Sequence, residues 1–237
     1  MLSSYPKTRP VLSDAYQKIY NEHYHKNREG TTTASFLSKM MESWLHKKVA
    51  RDVKNVENKS TLEIGAGTLN QFEYENTKPY DIIEPFTELY KNSKYLPQVN
   101  KIYKDIAEIE KSQQYDRITS IATFEHITDL PKVVAKTGLL LKTGGTLRVS
   151  IPNEGTILWK LGWKLTSGIE FRLKYKLKYE TLLKYEHVNN ANEIEDVLKY
   201  FYANVKCSCF GLSRRFAFYR FYECSNPRID VAEDYLK

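Results

Sequence analysis

The 237-residue chain carries 36 Lys and Arg against 29 Asp and Glu, a net charge of +7, with 41% hydrophobic residues and eighteen tyrosines. That composition excludes a disordered chain, which would be poorer in aromatics, and the length fits one large α/β domain with an elaboration rather than two independent domains. The positive excess suits an anionic substrate, a nucleic acid or an anionic membrane surface, and it is equally compatible with ordinary solubility.

In chain order, Met1–Pro10 is polar and lacks the apolar core of a signal peptide. No later run approaches the roughly 20 apolar residues of a membrane span, so a cytoplasmic protein without integral membrane association is expected. Residues 11–28 set Tyr16, Tyr20 and Tyr24 four apart on one face of a helix, with His23 and His25 beside them. Such a stripe is either core or an amino-terminal lid over a ligand. Gly30 and Thr31–Thr33 end it, after which Phe36, Leu37, Met40, Met41, Trp44, Leu45 and Val49 recur at helical spacing and predict a second helix packed on a sheet.

The stretch Thr61–Asn70 is the most informative in the chain. Its apolar residues break abruptly into Gly65 and Gly67, which reads as a buried strand ending in a tight turn. Glycine there allows a positive φ and lets a ligand approach bare backbone N–H groups. Glu84 ends the next apolar run, and Asp105 closes a third, Val99–Lys104. Acids closing the second and third parallel strands are placed to accept hydrogen bonds from ribose hydroxyls and from an adenine amino group. Asn70 stands where a nicotinamide site would favour a third glycine.

Strands and helices then alternate: strand 80–84, helix 86–93, strand 99–104, a short helix near 107–112, strand 115–122 and helix 129–141. This alternation implies a parallel sheet with right-handed crossovers. Lys142-Thr143-Gly144-Gly145 predicts the turn into strand 146–151, which Pro152 stops. Residues 153–187 interrupt the rhythm with Trp159, Trp163, Phe171, Tyr175, Tyr179 and Tyr185 among seven Lys or Arg and four Glu, a net +3. This segment is either a basic solvated helix with a packed aromatic face or a cover over a substrate. Helix 191–201 follows, with Asn190 or Asn192 as its cap. Val205–Phe210 and Phe216–Glu223, joined by Gly211–Arg214, read as a hairpin. Cys207, Cys209 and Cys224 are expected as reduced packing residues.

Glu63, Gly65 and Gly67 form Glu-x-Gly-x-Gly. With Glu84, Asp105 and Thr123-Phe124-Glu125-His126, the chain resembles the class I S-adenosylmethionine-dependent methyltransferases over roughly residues 60 to 152. Within that family it is most similar to the small-molecule and sugar methyltransferases (types 11 and 12), whose fourth strand often ends in a similar Glu-His pair. The resemblance implies a doubly wound, seven-stranded, mostly parallel Rossmann-like α/β sheet with a C-terminal antiparallel hairpin and N-terminal helices. Residues 1–54 would form a helical lid, and 55–237 the core, with 153–187 inserted over the acceptor. It also implies S-adenosylmethionine held by Glu63, Gly65, Ala66, Gly67, Glu84, Pro85, Asp105, Ile106, Ala122 and Thr123, with Tyr24 or Arg28 of the lid meeting its carboxylate.

Residues just beyond the fourth strand lie where ligands bind in open α/β sheets. His126 is therefore the first candidate for a base, Glu125 its orienting partner or an aid to the donor, and His187 the second candidate, although a lone His is more often structural. Glu154, Trp159, Trp163, Lys174, Lys176 and Tyr179 are the candidates for the acceptor. That acceptor is expected to be a small anionic molecule such as a phosphorylated or nucleotide-linked sugar of surface-polysaccharide synthesis, methylated on a hydroxyl. Methylation of an amino sugar or of a quinone or lipid precursor is the alternative, and a cofactor-binding scaffold is the non-enzyme one. A nucleic-acid partner is not expected, because Ala122-Thr123-Phe124-Glu125 lacks the Asn/Asp-Pro-Pro-Tyr loop that stacks a flipped base. No His-Glu or Cys cluster is visible at metal-ligand spacing, so no metal is expected.

Overall fold

The computed structural model describes residues 2–20, 36–165 and 167–237. Seven strands form a single sheet: β1 (Thr61–Ile64), β2 (Tyr80–Ile83), β3 (Lys101–Tyr103), β4 (Tyr115–Ile121), β5 (Leu141–Pro152), β6 (Tyr202–Gly211) and β7 (Ala217–Pro227), in the order β3-β2-β1-β4-β5-β7-β6. β1 pairs in parallel with β2 and β4, β2 with β3 and β4 with β5. β7 runs antiparallel to both β5 and β6, as the expected hairpin requires. All four residues of β1 are buried, Glu63 among them, as befits a central strand covered on both faces.

Alternation along β5 sorts the two faces. Leu147, Val149 and Ile151 join a core with α3 (Leu130–Leu140) and α7 (Ala191–Phe201), closed by α8 (Ile229–Tyr235). Arg148 and Ser150, between them, point the other way to α1 (Phe36–Ala50). A helix leaves its last carbonyls without partners, and here two buried arginines take them. Arg117 of β4 donates to Val49 O at 3.0 Å, and Arg148 of β5 to Val49 O at 2.8 Å and Lys48 O at 2.9 Å. Both guanidiniums also lie against Asp52, and Arg117 pairs with Glu75 at 2.7 Å. Burial opposes the charge on Arg117, but the carboxylates of Glu75 and Asp52 outweigh it and raise its pKa.

Several expected elements are shorter or differently placed. The helix expected over 86–93 is one turn, α2 (Thr87–Tyr90), because Ser93 turns back to bond Thr68 O and receives Tyr95 N–H. The helix expected near 107–112 is a 3-10 turn, Ile106–Glu108, capped by Asp105. Lys142–Gly145 is not a separate turn. It lies within β5 as a bulge, the register jumping from Tyr115↔Leu141 to Arg117↔Thr146. Gly145 permits this, since a Cβ there would lie 2.9 Å from Lys142 O. α7 starts as expected at Asn190, whose side chain accepts from Asn192 N and Glu193 N while Glu193 accepts from Asn190 N, a complete capping box.

Residues 153–187 fold as three short helices, α4 (Ile157–Leu165), α5 (Ser167–Tyr175) and α6 (Tyr179–Glu186). Helical residues 14–20 pack on them: Ile19 is buried with Phe171 and Leu182, and Tyr16 and Tyr20 border the cluster. Tyr24, Arg28, His23 and His25 lie outside the described residues. The three cysteines are free thiols, with Cys224 buried and Cys207 and Cys209 half-buried. Among the described residues no helix is long and apolar enough to cross a membrane.

Candidate active site

The chain leaves β1 in one direction to build β2 and β3 and returns on the other side with β4, so a crevice opens beyond the carboxyl ends of these strands. It is a cleft of about 1200 Å³. β1 enters it through a turn in which Gly65, Gly67 and Leu69 take φ values of +74°, +52° and +67°. The two glycines serve different ends. A Cβ at Gly65 would lie 2.4 Å from both Cγ2 and Oγ1 of Thr123, so glycine is needed for β1 and the loop after β4 to meet. A Cβ at Gly67 would meet nothing within 4 Å, so its bare backbone faces the open cleft.

Glu84 follows β2 and is 4% exposed. Its carboxylate accepts from Gly67 N at 2.9 Å and Phe86 N at 3.1 Å, which fixes it at the rim of the glycine turn. A carboxylate has about four lone-pair directions, so two remain for a ligand. Asp105 follows β3, and its Oδ1 accepts from Ala107 N at 2.7 Å. Glu63 is buried and receives the Tyr80 hydroxyl at 2.8 Å. Burial pushes its carboxyl up to about 8 even though the Tyr80 bond acts the other way. Ala66, Pro85, Ile106, Ala122 and Thr123 complete this half of the wall with Gly65. The structure therefore brings every described residue expected at the cofactor into one cleft.

The 3-10 turn after β4, Phe124–His126, forms the other half. His126 lines the cleft, with Nδ1 3.0 Å from Glu186 O. Its ring meets that of His187 edge-on at 4.7 Å. The Glu125 backbone carbonyl accepts from Val188 N and Asn189 N, which ties this turn to the end of α6. The Glu125 side chain is 3% exposed, and 3.9 Å separates its Oε1 from His126 Nε2. Burial pushes its carboxyl up to about 7, against the opposing pull of His187. His187 Nδ1 bonds Glu154 Oε2. Burial disfavours its charge, but that bond and the charges of Glu125, Glu154 and Glu186 outweigh it and raise its pKa. The sequence shows no metal-ligand spacing, yet the fold gathers Glu125, His126 and His187 with one ligating atom of each within 4.8 Å of the others.

The acceptor candidates are placed differently from the expectation. Of residues 153–187, only Glu186 belongs to the described lining of the cleft. Trp159 packs edge-on behind Tyr219, which does line it. Trp163 packs on Tyr179, and Tyr179 on Phe171. Lys174 lies over the Tyr175 ring, and Lys176, at φ +55°, leads out of α5. Trp163, Phe171 and Tyr179 thus pack on one another, and none of the segment's aromatic residues belongs to the cleft lining. Glu154 does not belong to the cleft lining and bonds His187.

Residues not anticipated from the sequence fill their places. Arg9 donates to the carbonyls of Tyr185, Glu186 and His126; it lines the cleft together with Glu42, His46 and Tyr219, and with Tyr20 of the stripe read as core or lid. His46 Nδ1 is held 2.7 Å from Gln71 Oε1. No local pattern marks Arg9, whose partners lie more than a hundred residues away.

A family model described as a methyltransferase domain matches residues 34–195. No curated protein sequence matches the chain. Among solved structures, the plantazolicin methyltransferase bound to S-adenosylhomocysteine and a pentazolic desmethyl analogue aligns with a TM-score of 0.58 at 14% identity, over 90% of this chain and 92% of that one. A S-adenosylmethionine-dependent methyltransferase of Thermotoga maritima, described as a possible histamine N-methyltransferase, gives 0.55 at 14% identity over 90% and 98%. The magnesium protoporphyrin IX methyltransferase of Synechocystis, with bound S-adenosylhomocysteine, gives 0.54 at 13% over 89% and 98%. At these identities the likeness is one of fold.

Proposed function

The chain belongs to the methyltransferase-domain family and is an S-adenosylmethionine-dependent enzyme, and from that premise we propose that it methylates a hydroxyl of a small anionic molecule, a phosphorylated or nucleotide-linked sugar of surface-polysaccharide synthesis. The observation that carries the reading is the pairing of bare Gly67 with the fixed Glu84 carboxylate. It fits a nucleoside: the two remaining lone-pair directions of Glu84 suit ribose hydroxyls, and the second oxygen of Asp105 suits an adenine amino group. Glu63, buried beside the turn, suits a cationic group. When bound, the cofactor supplies a methyl group on a sulfonium for in-line displacement.

The chain then has to hold the acceptor in line and accept its proton. His126 stands at the wall of the cleft, with Glu125 and His187 against it, and a positioned base contributes about 10²- to 10⁴-fold. Tyr219, Arg9 and Glu186 border the acceptor, and residues 153–187 act as the outer wall that keeps them in place. Of the residues expected to form a lid, 2–20 act as one, a role supported by Arg9 and Tyr20 in the cleft lining, whereas α1 packs on the sheet. The anionic character of the acceptor is supported by Arg9 and Lys104 in the cleft lining, since the basic residues of 153–187 lie outside it.

One observation favours a second reading, N-methylation of an amine such as an amino sugar. Glu42 and Glu186 line the cleft, and Glu125 and Glu154 stand behind the two histidines, a negative setting that suits a cationic acceptor. Its surplus proton would pass to Glu125. Incubation with methyl-labelled S-adenosylmethionine and a panel of phosphorylated sugars, nucleotide sugars and their amino analogues tests both. Label on a sugar hydroxyl supports the first reading, and label confined to amines supports the second. Tight S-adenosylhomocysteine binding with no transfer to any member would overturn the sugar acceptor.

A further inference from the structure

We propose that Glu125, His126 and His187 form a binding site for a divalent first-row transition-metal ion at the acceptor end of the cleft. Two imidazoles and one carboxylate are a donor set such ions favour over Mg²⁺ and Ca²⁺, which prefer oxygen alone. Three atoms within 4.8 Å of one another lie no more than about 2.8 Å from a common centre, so closing on an ion at the usual ~2.0 to 2.2 Å takes a shift of under ~1 Å.

Two further features point to a ligand. Oε2 of Glu125 is buried with no hydrogen-bond partner among the described residues, an arrangement that costs stability unless something pairs with the carboxylate. The hydrogen bonds around the cluster also match those that orient metal-binding histidines. His126 Nδ1 meets a backbone carbonyl, Glu186 O, at 3.0 Å, and His187 Nδ1 meets a carboxylate, Glu154. Each bond places the Nδ1 proton outward and puts the lone pair of the neutral ring on Nε2.

Three protein ligands leave coordination positions for the acceptor. Because His126 also lines the cleft, an ion here binds acceptor oxygen and lowers the pKa of a coordinated hydroxyl, whose proton leaves to solvent in place of transfer to His126, since the ion occupies the Nε2 lone pair. That consequence rests on the methyltransferase reading; the binding itself does not.

The test uses tag-free, chelator-stripped protein titrated with Zn²⁺, Mn²⁺ and Co²⁺ by calorimetry, with the visible spectrum of the Co²⁺ form recorded. One ion per chain is expected, with histidine-ligated Co²⁺ absorption. His187→Ala and Glu125→Gln should weaken binding more than 100-fold and Glu154→Gln about 10- to 100-fold, each variant being shown to be folded by circular dichroism. Absence of stoichiometric binding, or binding that the three substitutions leave unchanged, as for an adventitious ion, would overturn the site. Should a variant fail to fold, the wild-type Co²⁺ spectrum still decides, because lack of histidine ligation in it contradicts the proposal. Failure of the wild type to bind S-adenosylhomocysteine would count against the methyltransferase reading alone.

Discussion

Glu84→Ala removes the carboxylate that joins the glycine turn to the end of β2, and its two effects can be separated. For the ligand, the loss is a hydrogen bond to a charged acceptor, about 1.5 to 3 kcal/mol, which corresponds to a dissociation constant for S-adenosylhomocysteine roughly 10- to 150-fold weaker. For the protein, the loss is the acceptor of Gly67 N and Phe86 N. Phe86 is 47% exposed, so water can replace one of these bonds, and the cost in stability should be at the low end of the range for an unsatisfied donor, ~1 to 2 kcal/mol. Glu84→Gln keeps one carbonyl oxygen and should fall between wild type and alanine in both respects. Calorimetry at a temperature where all three proteins are folded gives the affinities, and circular dichroism gives the melting temperatures. A folded Glu84→Ala protein with wild-type affinity would refute the assignment of Glu84 to the ligand.

The two glycines should separate in the same pair of assays. Gly65→Ala meets Thr123 at 2.4 Å in a left-handed backbone conformation, and strain plus overpacking should cost ~2 to 5 kcal/mol of stability. Gly67→Ala meets no protein atom within 4 Å, so it should cost only ~1 to 2 kcal/mol of backbone strain but weaken ligand binding at least tenfold; equal affinity would show that no ligand approaches there. Glu63 gives a pH dependence. Its pKa, raised to about 8 in the ligand-free protein, leaves it protonated at pH 6 to 7.5, and a cation bound beside it favours the ionised form. Binding of S-adenosylmethionine should then release a proton and tighten by up to about tenfold per pH unit across that window. Glu63→Gln should flatten the profile, and a slope of zero in the wild type would remove Glu63 from contact with the cation.

The half of the cleft built by single strand ends is the half that the sequence reveals. Gly65, Gly67, Glu84 and Asp105 each sit where an apolar run stops, so periodicity alone places them at one edge of the sheet. Asn190 is legible for the same reason, since a cap and its Glu193 partner are close in sequence. Arg117 and Arg148 are not legible, because an arginine within a strand reads as solvent-facing until the carbonyls at the end of α1 are known to lie over it. The cluster of Glu125, His126 and His187 joins residues some sixty positions apart, and only the packing of α6 against the turn after β4 brings them together. The aromatic residues of 153–187 carry no mark of whether they face a substrate or the protein, and the structure packs Trp163, Phe171, Tyr175 and Tyr179 on one another and Trp159 and Tyr185 on Tyr219 and Tyr20.

The central claim is that the cleft between the glycine turn, Glu84 and Asp105 binds an S-adenosyl donor. Calorimetric titration of the wild-type chain with S-adenosylhomocysteine, with NAD as the comparison ligand, tests it most directly. One S-adenosylhomocysteine per chain, with affinity lost in Gly67→Ala and Glu84→Ala and no comparable binding of NAD, is the predicted result. Preferential binding of NAD, or S-adenosylhomocysteine binding that survives both substitutions unchanged, would contradict it.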